Sequence, residues 1–429
     1  MAERTVLVRG GTVVDATGTR VADVLVGGGR VAAVAPEIDP PTGTRVLDAD
    51  GCVVAPGLVD LHTHLRQPGR EEAETVETGS RAAALGGYTA VVAMPNTEPA
   101  IDSAGVVREV LELGVGAMCD VRVAGAITKG RQGRELAPLG EMADLGVRLF
   151  TDDGNGVQDA RLMRRALEYA SALGVTLGQH CEDETLAGGG HMHEGAWSSR
   201  LGVPGMPAEA EELMVARDIA LARLTGGRVH FLHLSTAGSV FAVRAAKAEG
   251  LPVTAEAAPH HFTLTDAKVA SYDTVFKVNP PLRTPSDVEA VKAGLADGTI
   301  DAIATDHAPH APEDKDVPFD QARPGMVGLE TALALALTEL DLPVEAVLRL
   351  LSWEPARIAG LDSSQGGPLA QGRTANLCVI DPAAAWVVDP DALHSRSRNT
   401  PYGGRKLTGR VRHTILRGEP VVIDRRPQR

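Results

Sequence analysis

The stretch VAPGLVDLHTHLRQPGR, residues 54–70, contains the pattern that decides the fold. An apolar run ends abruptly in two histidines one residue apart, His62 and His64, and Arg66 follows two positions later. Side chains two apart on a β-strand point to the same face. In a parallel α/β barrel the functional side chains lie at the C-terminal ends of the strands. The stretch therefore predicts one such strand end.

The same pattern, an apolar run with a polar end, recurs along the middle of the chain. Between the runs lie amphipathic segments, such as residues 159–174, whose apolar residues recur at helical spacing. Eight strands that alternate with helices over about 300 residues predict an α/β fold, a (β/α)8 TIM-like barrel. The eight predicted strands lie within residues 57–64, 88–96, 121–128, 147–154, 175–183, 228–236, 252–261 and 300–310.

The two ends of the chain differ from this middle part. Residues 1–55 consist of short Val-rich runs separated by glycines, and the same character returns in residues 365–429. Such runs are typical of short strands joined by turns. We expect both ends to form one small β-sandwich domain beside a catalytic barrel of residues 56–364.

Composition excludes several classes of protein. The chain has 429 residues and a formal net charge of -14, without a long basic block, which argues against a nucleic-acid partner. Its four cysteines show no CxxC spacing, so we expect free thiols in a reducing compartment. No apolar run reaches the roughly 18 residues that a membrane span needs. These features predict a cytoplasmic protein without a membrane partner.

Imidazoles and carboxylates end several of the predicted strands. An isolated HxH pair is equally compatible with two polar residues at a strand end. The larger set favours metal, because a buried core without an ion could not satisfy so many polar groups. Four histidines and two carboxylates exceed what one tetrahedral zinc takes with an open position, so a two-metal centre fits better. The polar residues at the predicted strand ends are His62, His64, Arg66, Asn96, Asp152, Asp153, His180, His233, Asp306, His307 and His310.

These motifs carry a family resemblance that runs over essentially the whole chain. The chain resembles the class I dihydroorotases of the amidohydrolase superfamily. The resemblance implies interconversion of N-carbamoyl-L-aspartate and L-dihydroorotate, the third step of de novo pyrimidine synthesis. HTHLR alone would indicate only the superfamily, whereas the ordered set is specific. That set is HTHLRQPG, MPNT, FTDDGNGVQD, QHCED, HLSTAGS, APHHFTLTD, KVNPPLR, TDHAPH and RPGMVGLET.

The resemblance also implies roles for individual residues. His62 and His64 would hold a first zinc ion, His180 and His233 a second, and Asp153 would bridge the two. Asp306 would be the catalytic acid and base as well as a ligand of the first zinc. The implied substrate contacts are Arg66, Asn96, Asn279, His310, Pro324 and Gly325. Arg66 suits an anionic substrate because its planar guanidinium can bind a carboxylate through two hydrogen bonds.

Two alternative functions stay open at this point. A hydantoinase or allantoinase would share the fold and the metals, but many such relatives bridge the metals with a carboxylated lysine, and residues 146–156 contain no lysine. A non-catalytic scaffold for aspartate transcarbamoylase would be expected to have lost metal ligands. The resemblance further implies a homodimer and is compatible with a complex with aspartate transcarbamoylase. Residues 307–325 have little periodicity, which predicts a loop that closes over the site.

Overall fold

Eight short parallel strands form the centre of the molecule. The structure is a computed structural model and describes residues 5–429. Each of the eight strands overlaps one of the predicted runs, which confirms the predicted alternation. In chain order they are Leu58–Thr63, Tyr88–Ala93, Asp120–Val123, Leu149–Thr151, Thr176–Gln179, Val229–Phe231, Val253–Ala257 and Ala302–Ile303.

The eight strands belong to two parallel sheets. One sheet has the order third, second, first strand, and the other runs from the fourth to the eighth strand in sequence order. Isolated parallel bridges join Gly125 to Phe150 and Thr63 to His307, so the sheets meet at both pairs of edges. The first two strands are buried along their whole length. Burial on both faces explains why their sequences are nearly continuous apolar runs.

A helix follows each strand before the next one begins. The helix Ala160–Leu173 shows how the sequence sets the limits: the Asp159 side chain accepts hydrogen bonds from two main-chain N–H groups at its start, and Gly174, with φ of 67°, ends it. In order, the eight helices are Val76–Leu85, Ala104–Leu113, Leu139–Asp144, Ala160–Leu173, Glu209–Thr225, Ala237–Ala248, Pro285–Asp297 and Ala332–Glu339.

Shorter elements occupy the connections. The short α-helices are Glu184–Ala187, Ala196–Leu201, Pro259–Thr263, Pro312–Lys315, Val344–Leu348 and Glu354–Ile358. The 3-10 turns are Lys129–Arg131, Asp266–Ser271, Thr274–Phe276 and Pro390–Ala392, and Arg349–Trp353 is a π-helical turn. Met192–His193 and Gly205–Met206 form a two-stranded parallel pair. Among the helices of residues 5–429, none has the length and apolar character to traverse a bilayer.

Both ends of the chain contribute strands to one sheet. Val53–Pro56 pairs on one side with Thr12–Asp15 and on the other with Leu377–Val387. The seven strands of this sheet, in spatial order, are Arg426–Pro427, Glu419–Ile423, Lys406–Leu416, Leu377–Val387, Val53–Pro56, Thr12–Asp15 and Gly18–Val21. A second sheet has the order Arg30–Ala35, Asp23–Gly27, Val6–Arg9 and Arg45–Asp48. A single apolar cluster contains residues from both ends.

Candidate metal centre and active site

Four histidines surround the Asp153 carboxylate, which follows the fourth parallel strand. Its Oδ1 lies 3.3 Å from His62 Nε2, 3.6 Å from His180 Nδ1 and 3.5 Å from His233 Nε2. Its Oδ2 lies 3.6 Å from His64 Nε2. The structure thus brings together five residues from four different strand ends.

Asp306 approaches the cluster from the end of the eighth strand. Its Oδ1 lies 3.2 Å from His64 Nε2 and 3.6 Å from His62 Nε2. The carboxylate therefore faces the His62 and His64 side of the cluster and not the His180 and His233 side.

The cluster fits metal ions. There are two groups of candidate ligand atoms, and within each group the atoms lie within 4.8 Å of one another. One group comes from His62, His64 and Asp153, and the other from Asp153, His180 and His233. His62 Nε2 is buried without a hydrogen-bond partner, and such an atom is costly unless it ligates an ion. Imidazole nitrogens and carboxylate oxygens are ligands that zinc accepts. The shared carboxylate of Asp153 suits a centre with two metal ions.

A cavity of about 290 Å³ opens beside the cluster. Its lining includes His64, Asp153, His180, His233 and Asp306. All six predicted substrate contacts also line it, namely Arg66, Asn96, Asn279, His310, Pro324 and Gly325. The Arg66 Nε donates to the Pro309 carbonyl oxygen at 3.1 Å, which fixes the orientation of the guanidinium. The cavity therefore combines the histidine cluster with a cationic side.

Two comparisons of the sequence with known proteins agree with this geometry. The profile of the Dihydro-orotase-like family matches residues 51–239, and that of the Amidohydrolase family matches residues 208–422. The dihydroorotase of Pelotomaculum thermopropionicum is 51% identical over 426 residues, which cover 98% of this chain and 99% of that protein. The dihydroorotase of Streptomyces coelicolor is 52% identical over 425 residues, with 97% and 98% covered. This chain belongs to the dihydroorotase family.

Solved structures of the wider superfamily share the fold. The L-hydantoinase (dihydropyrimidinase) of Arthrobacter aurescens has a TM-score of 0.87 at 25% identity and covers 99% of this chain and 97% of its own. The dihydropyrimidinase of Brevibacillus agri also has a TM-score of 0.87, at 23% identity, with 99% and 96% covered. Their identity to this chain is about half that of the dihydroorotases, so within the superfamily the sequence lies nearer to the dihydroorotase family.

In this member of the dihydroorotase family, side chains behind the cluster orient His62 and His64. His62 Nδ1 donates to Glu256 Oε1 at 2.9 Å, and His64 Nδ1 donates to Asn96 Oδ1 at 2.8 Å. Each bond leaves the Nε2 lone pair directed to the cluster, because the neutral imidazole has one donor and one acceptor nitrogen. Glu256 also contacts His230 Nε2 at 3.0 Å.

The protonation of the two cluster carboxylates follows from their neighbours. Burial alone would raise the pKa of Asp153, but the neighbouring side chains of His62, His180 and His233 lower it well below its usual range. Burial acts in the same way on Asp306, and the neighbouring side chains of His64 and His62 lower its pKa. Both carboxylates are therefore ionised at neutral pH.

The loop of residues 307–325 is held in place at several points. Lys277 Nζ donates to the carbonyl oxygens of Phe319 and Asp320 at 2.8 and 2.9 Å. Lys315 Nζ donates to the Thr274 carbonyl oxygen at 3.0 Å and to that of Arg323 at 2.8 Å. These bonds fix a loop whose sequence shows little periodicity. Its closure over a substrate stays a prediction.

The sequence prediction missed several residues around the site. His260 was assigned no role, yet its Nε2 is buried and lies 3.8 Å from Asp306 Oδ2. Glu256 also went unnoticed, although a glutamate inside an apolar strand is itself a signal, since glutamate is seldom buried unless it is paired. Asn399 holds the loop from the C-terminal segment, and no pattern in its surroundings indicates this.

Three site residues have backbone conformations that non-glycine residues seldom adopt. The φ angles are 60° at Arg66, 30° at His233 and 46° at Asp306. Each such residue costs on the order of 1–3 kcal/mol and persists only where the surrounding structure imposes it. At these three positions the backbone turns within three residues of the end of a parallel strand, and the side chain lines the cavity.

Proposed function

We propose that the chain is a dihydroorotase, which interconverts N-carbamoyl-L-aspartate and L-dihydroorotate in de novo pyrimidine synthesis. One observation carries the proposal: a single cavity is lined both by Asp306 with His64, His180 and His233 and by Arg66, Asn96 and His310. The carboxylate and histidines suit the cleavage or formation of an amide bond. The Arg66 guanidinium suits an anionic substrate, on a protein whose overall charge is negative.

Two zinc ions per chain fit this site. His62, His64 and Asp306 would hold the first ion, His180 and His233 the second, and Asp153 both. When bound, the ions would supply Lewis acidity, polarise the reacting carbonyl group and lower the pKa of water.

Asp306 moves the proton in both directions of the reaction. In hydrolysis its ionised carboxylate takes a proton from the attacking water and gives it to the ring nitrogen as the amide bond breaks. In cyclisation the same group takes the proton from the ureido nitrogen that attacks the side-chain carboxylate of carbamoyl aspartate, and returns it to the carboxylate oxygen that leaves as water when the ring C–N bond has formed. Microscopic reversibility requires one group for both directions, and Asp306 is positioned for this role beside His64 and His62.

Other residues that line the cavity orient the substrate. Arg66 presents a guanidinium to the substrate carboxylate, since a planar fork binds a carboxylate through two hydrogen bonds. Burial lowers the pKa of Arg66 to about 10, which leaves it a cation at neutral pH. The Asn96 Oδ1 already accepts from His64, so its Nδ2 is free to donate to the substrate. His310 Nε2 donates to the Pro324 carbonyl oxygen at 2.8 Å, so these two predicted substrate contacts, His310 and Pro324, are bonded to each other.

We infer that the two parallel sheets close into one (β/α)8 barrel of residues 56–364. The bridges at both pairs of sheet edges support this. Residues 1–55 and 365–429 would form the small β-sandwich domain, of which residues 1–4 lie outside the described part of the chain. A cytoplasmic homodimer and a complex with aspartate transcarbamoylase are further proposals, which rest on the resemblance alone.

The test is hydrolysis of L-dihydroorotate by protein stripped of metal and titrated with zinc, with hydantoin and allantoin as rival substrates. We expect zinc-dependent turnover of dihydroorotate only. Asp306→Ala should lower kcat by about 10²–10⁴-fold. Asp297→Ala, a surface carboxylate paired with Arg244, serves as the control.

Each other outcome excludes the proposal. Turnover of hydantoin or allantoin would assign the chain to another type of cyclic amidase. The alternative of a hydantoinase or allantoinase is disfavoured because, among the described residues that line the cavity, no lysine occurs. Absence of turnover despite bound zinc would favour a non-catalytic scaffold for aspartate transcarbamoylase.

A further inference from the structure

One carboxylate oxygen lies between a histidine of the cluster and a predicted substrate contact. Glu182 Oε2 is 3.3 Å from His180 Nε2 and 2.8 Å from Asn279 Nδ2. Glu182 follows the fifth parallel strand, two residues after His180. We propose that Glu182 is a positioning residue that couples metal binding at His180 to substrate binding at Asn279. This inference rests on the proposed function.

The contact to His180 decides which ring nitrogen can bind metal. An ionised carboxylate only accepts hydrogen bonds, so it requires a proton on His180 Nε2. The lone pair of the neutral ring is then on Nδ1, which lies 3.6 Å from Asp153 Oδ1. His180 therefore presents Nδ1 to the cluster, whereas His62 and His64 present Nε2. Glu182 holds this tautomer in the same way that Glu256 holds that of His62.

The contact to Asn279 decides which end of the amide is available to the substrate. Because Glu182 only accepts, the NH2 group of Asn279 must face it. Asn279 Oδ1 is buried and has no hydrogen-bond partner, and the residue lines the cavity. The amide oxygen is therefore available to accept from a substrate N–H, which both dihydroorotate and carbamoyl aspartate carry. With the amide reversed, Asn279 Oδ1 would face the Glu182 carboxylate oxygen, and two acceptors would oppose each other.

The backbone around Glu182 is held independently of its side chain. Gln158 Nε2 donates to the Glu182 carbonyl oxygen at 2.9 Å. The Glu182 main-chain N–H donates to the His180 carbonyl oxygen at 3.0 Å. The side chain itself is 19% exposed and borders a second cavity that adjoins the first at Asn279 and Pro324. Its loss consequently leaves little unfilled core, and we expect variants at this position to fold.

The experiment compares Glu182→Ala and Glu182→Gln with the wild type. Glu184→Ala is the matched control, an exposed glutamate two residues further along the same segment. Zinc retention is measured by dialysis against a competing chelator, and kcat and KM for L-dihydroorotate are measured at saturating zinc. For Glu182→Ala we expect one of the two zinc ions to bind about 10–100-fold more weakly. KM should also rise about tenfold, with an unchanged thermal midpoint.

The Gln variant separates charge from shape. The amide oxygen of Glu182→Gln can still accept one of the two hydrogen bonds. Its zinc retention and its KM should therefore lie between those of Glu182→Ala and the wild type. The coupling is overturned if Glu182→Ala retains both zinc ions as firmly as Glu184→Ala. It is also overturned if KM of Glu182→Ala equals the wild-type value at saturating zinc, because Asn279 would then be oriented without Glu182. A wild type without turnover of dihydroorotate would instead refute the proposed function, and zinc retention would still test the contact to His180.

Discussion

The two sides of the cavity are held by different kinds of contact. The cluster wall, defined by the residues His62, His64, Asp153, His180, His233 and Asp306, is oriented by other side chains, among them Glu256 and Asn96. The loop wall, residues 308–325, is held through its main-chain carbonyl groups, which accept hydrogen bonds from Lys277, Lys315 and Asn399. Side-chain contacts fix tautomers and charges, whereas main-chain contacts fix position alone. We therefore expect substitutions that disturb the cluster wall to weaken metal binding, and substitutions that disturb the loop wall to weaken substrate binding.

The largest effect is expected at the carboxylate that both halves of the cluster share. Asp153→Asn keeps the shape but removes the charge, so both ions should bind weakly. Metal chemistry supplies several kcal/mol, and each 1.4 kcal/mol is about a tenfold change in rate. We expect kcat to fall on the order of 10³-fold, with zinc content measured in parallel.

The neighbouring aspartate provides the control for that variant. Asp152 accepts a hydrogen bond from the Thr128 main-chain N–H at 2.9 Å and another from the Thr128 hydroxyl, on the outer side of the strand end. Asp152→Asn should retain zinc and most of the turnover. Equal losses in both variants would show that the site responds to general destabilisation and not to the shared charge.

A smaller effect on the cluster wall is expected at Glu256. Burial alone would raise its pKa, but the hydrogen bonds from His230 and His62 lower the pKa to about 2, so the group is ionised at neutral pH. Glu256→Gln should weaken zinc binding by about 10–100-fold because the His62 ring loses its charged acceptor. Chelator competition measures this effect.

The position of Glu256 makes the outcome specific. Its other partner, His230, bonds onward to Thr254 at 2.8 Å, away from the cavity. Thr254→Val should therefore leave zinc affinity nearly unchanged. A Glu256→Gln protein that binds zinc as tightly as the wild type would contradict the claim that side chains behind the cluster determine its affinity.

On the loop wall, Asn399 is the most informative position. Its Nδ2 donates to the carbonyl oxygens of Ala308 and Gly325 at 2.9 and 3.1 Å, and its Oδ1 accepts from the His310 main-chain N–H at 3.2 Å. Asn399→Ala should raise KM about tenfold, since a net loss of about 1.4 kcal/mol corresponds to that factor. Zinc content should stay at the wild-type value.

Asn399→Asp tests which of these bonds matters. The carboxylate can still accept from His310 but cannot donate to the two carbonyl groups. We expect a rise in KM close to that of Asn399→Ala. Loss of zinc from either variant would contradict the claim that the loop wall affects substrate binding but not metal binding.

The same difference explains how far the sequence could predict the site. Side chains at strand ends follow the strand period, so His62, His64 and Asp153 are visible in the sequence, and the alternation of strands and helices predicts where they meet. Contacts to main-chain carbonyl groups leave no such trace, because any residue type offers a carbonyl. Asn399 therefore could not have been predicted. His260 was missed for another reason: two adjacent histidines follow the seventh strand, and only the three-dimensional path shows which one faces Asp306.

Strand lengths were predicted less well than strand positions. The eighth predicted run spans residues 300–310, but the strand is only Ala302–Ile303. The backbone leaves the extended conformation at Asp306, whose φ is 46°. A turn of this kind is imposed by the surrounding structure, and the local apolar pattern does not contain it.

The smallest effect concerns the stability of the loop wall and its dependence on pH. Burial, and then the charge of Lys277, lower the pKa of Lys315 from 10.5 to about 7. Between these values the unfolded chain binds more protons than the folded one, so this group makes the free energy of unfolding rise as pH increases. The three carbonyl acceptors around Nζ favour the charged form and offset part of the burial. We therefore expect the free energy of unfolding to rise by no more than about 2 kcal/mol between these two pKa values.

Denaturant unfolding of the wild type and of Lys315→Met at about pH 7 and about pH 9.5 measures this rise, because the variant lacks the titrating group. Identical pH dependence in the two proteins would mean that Lys315 stays charged in the loop wall, held by its carbonyl acceptors throughout.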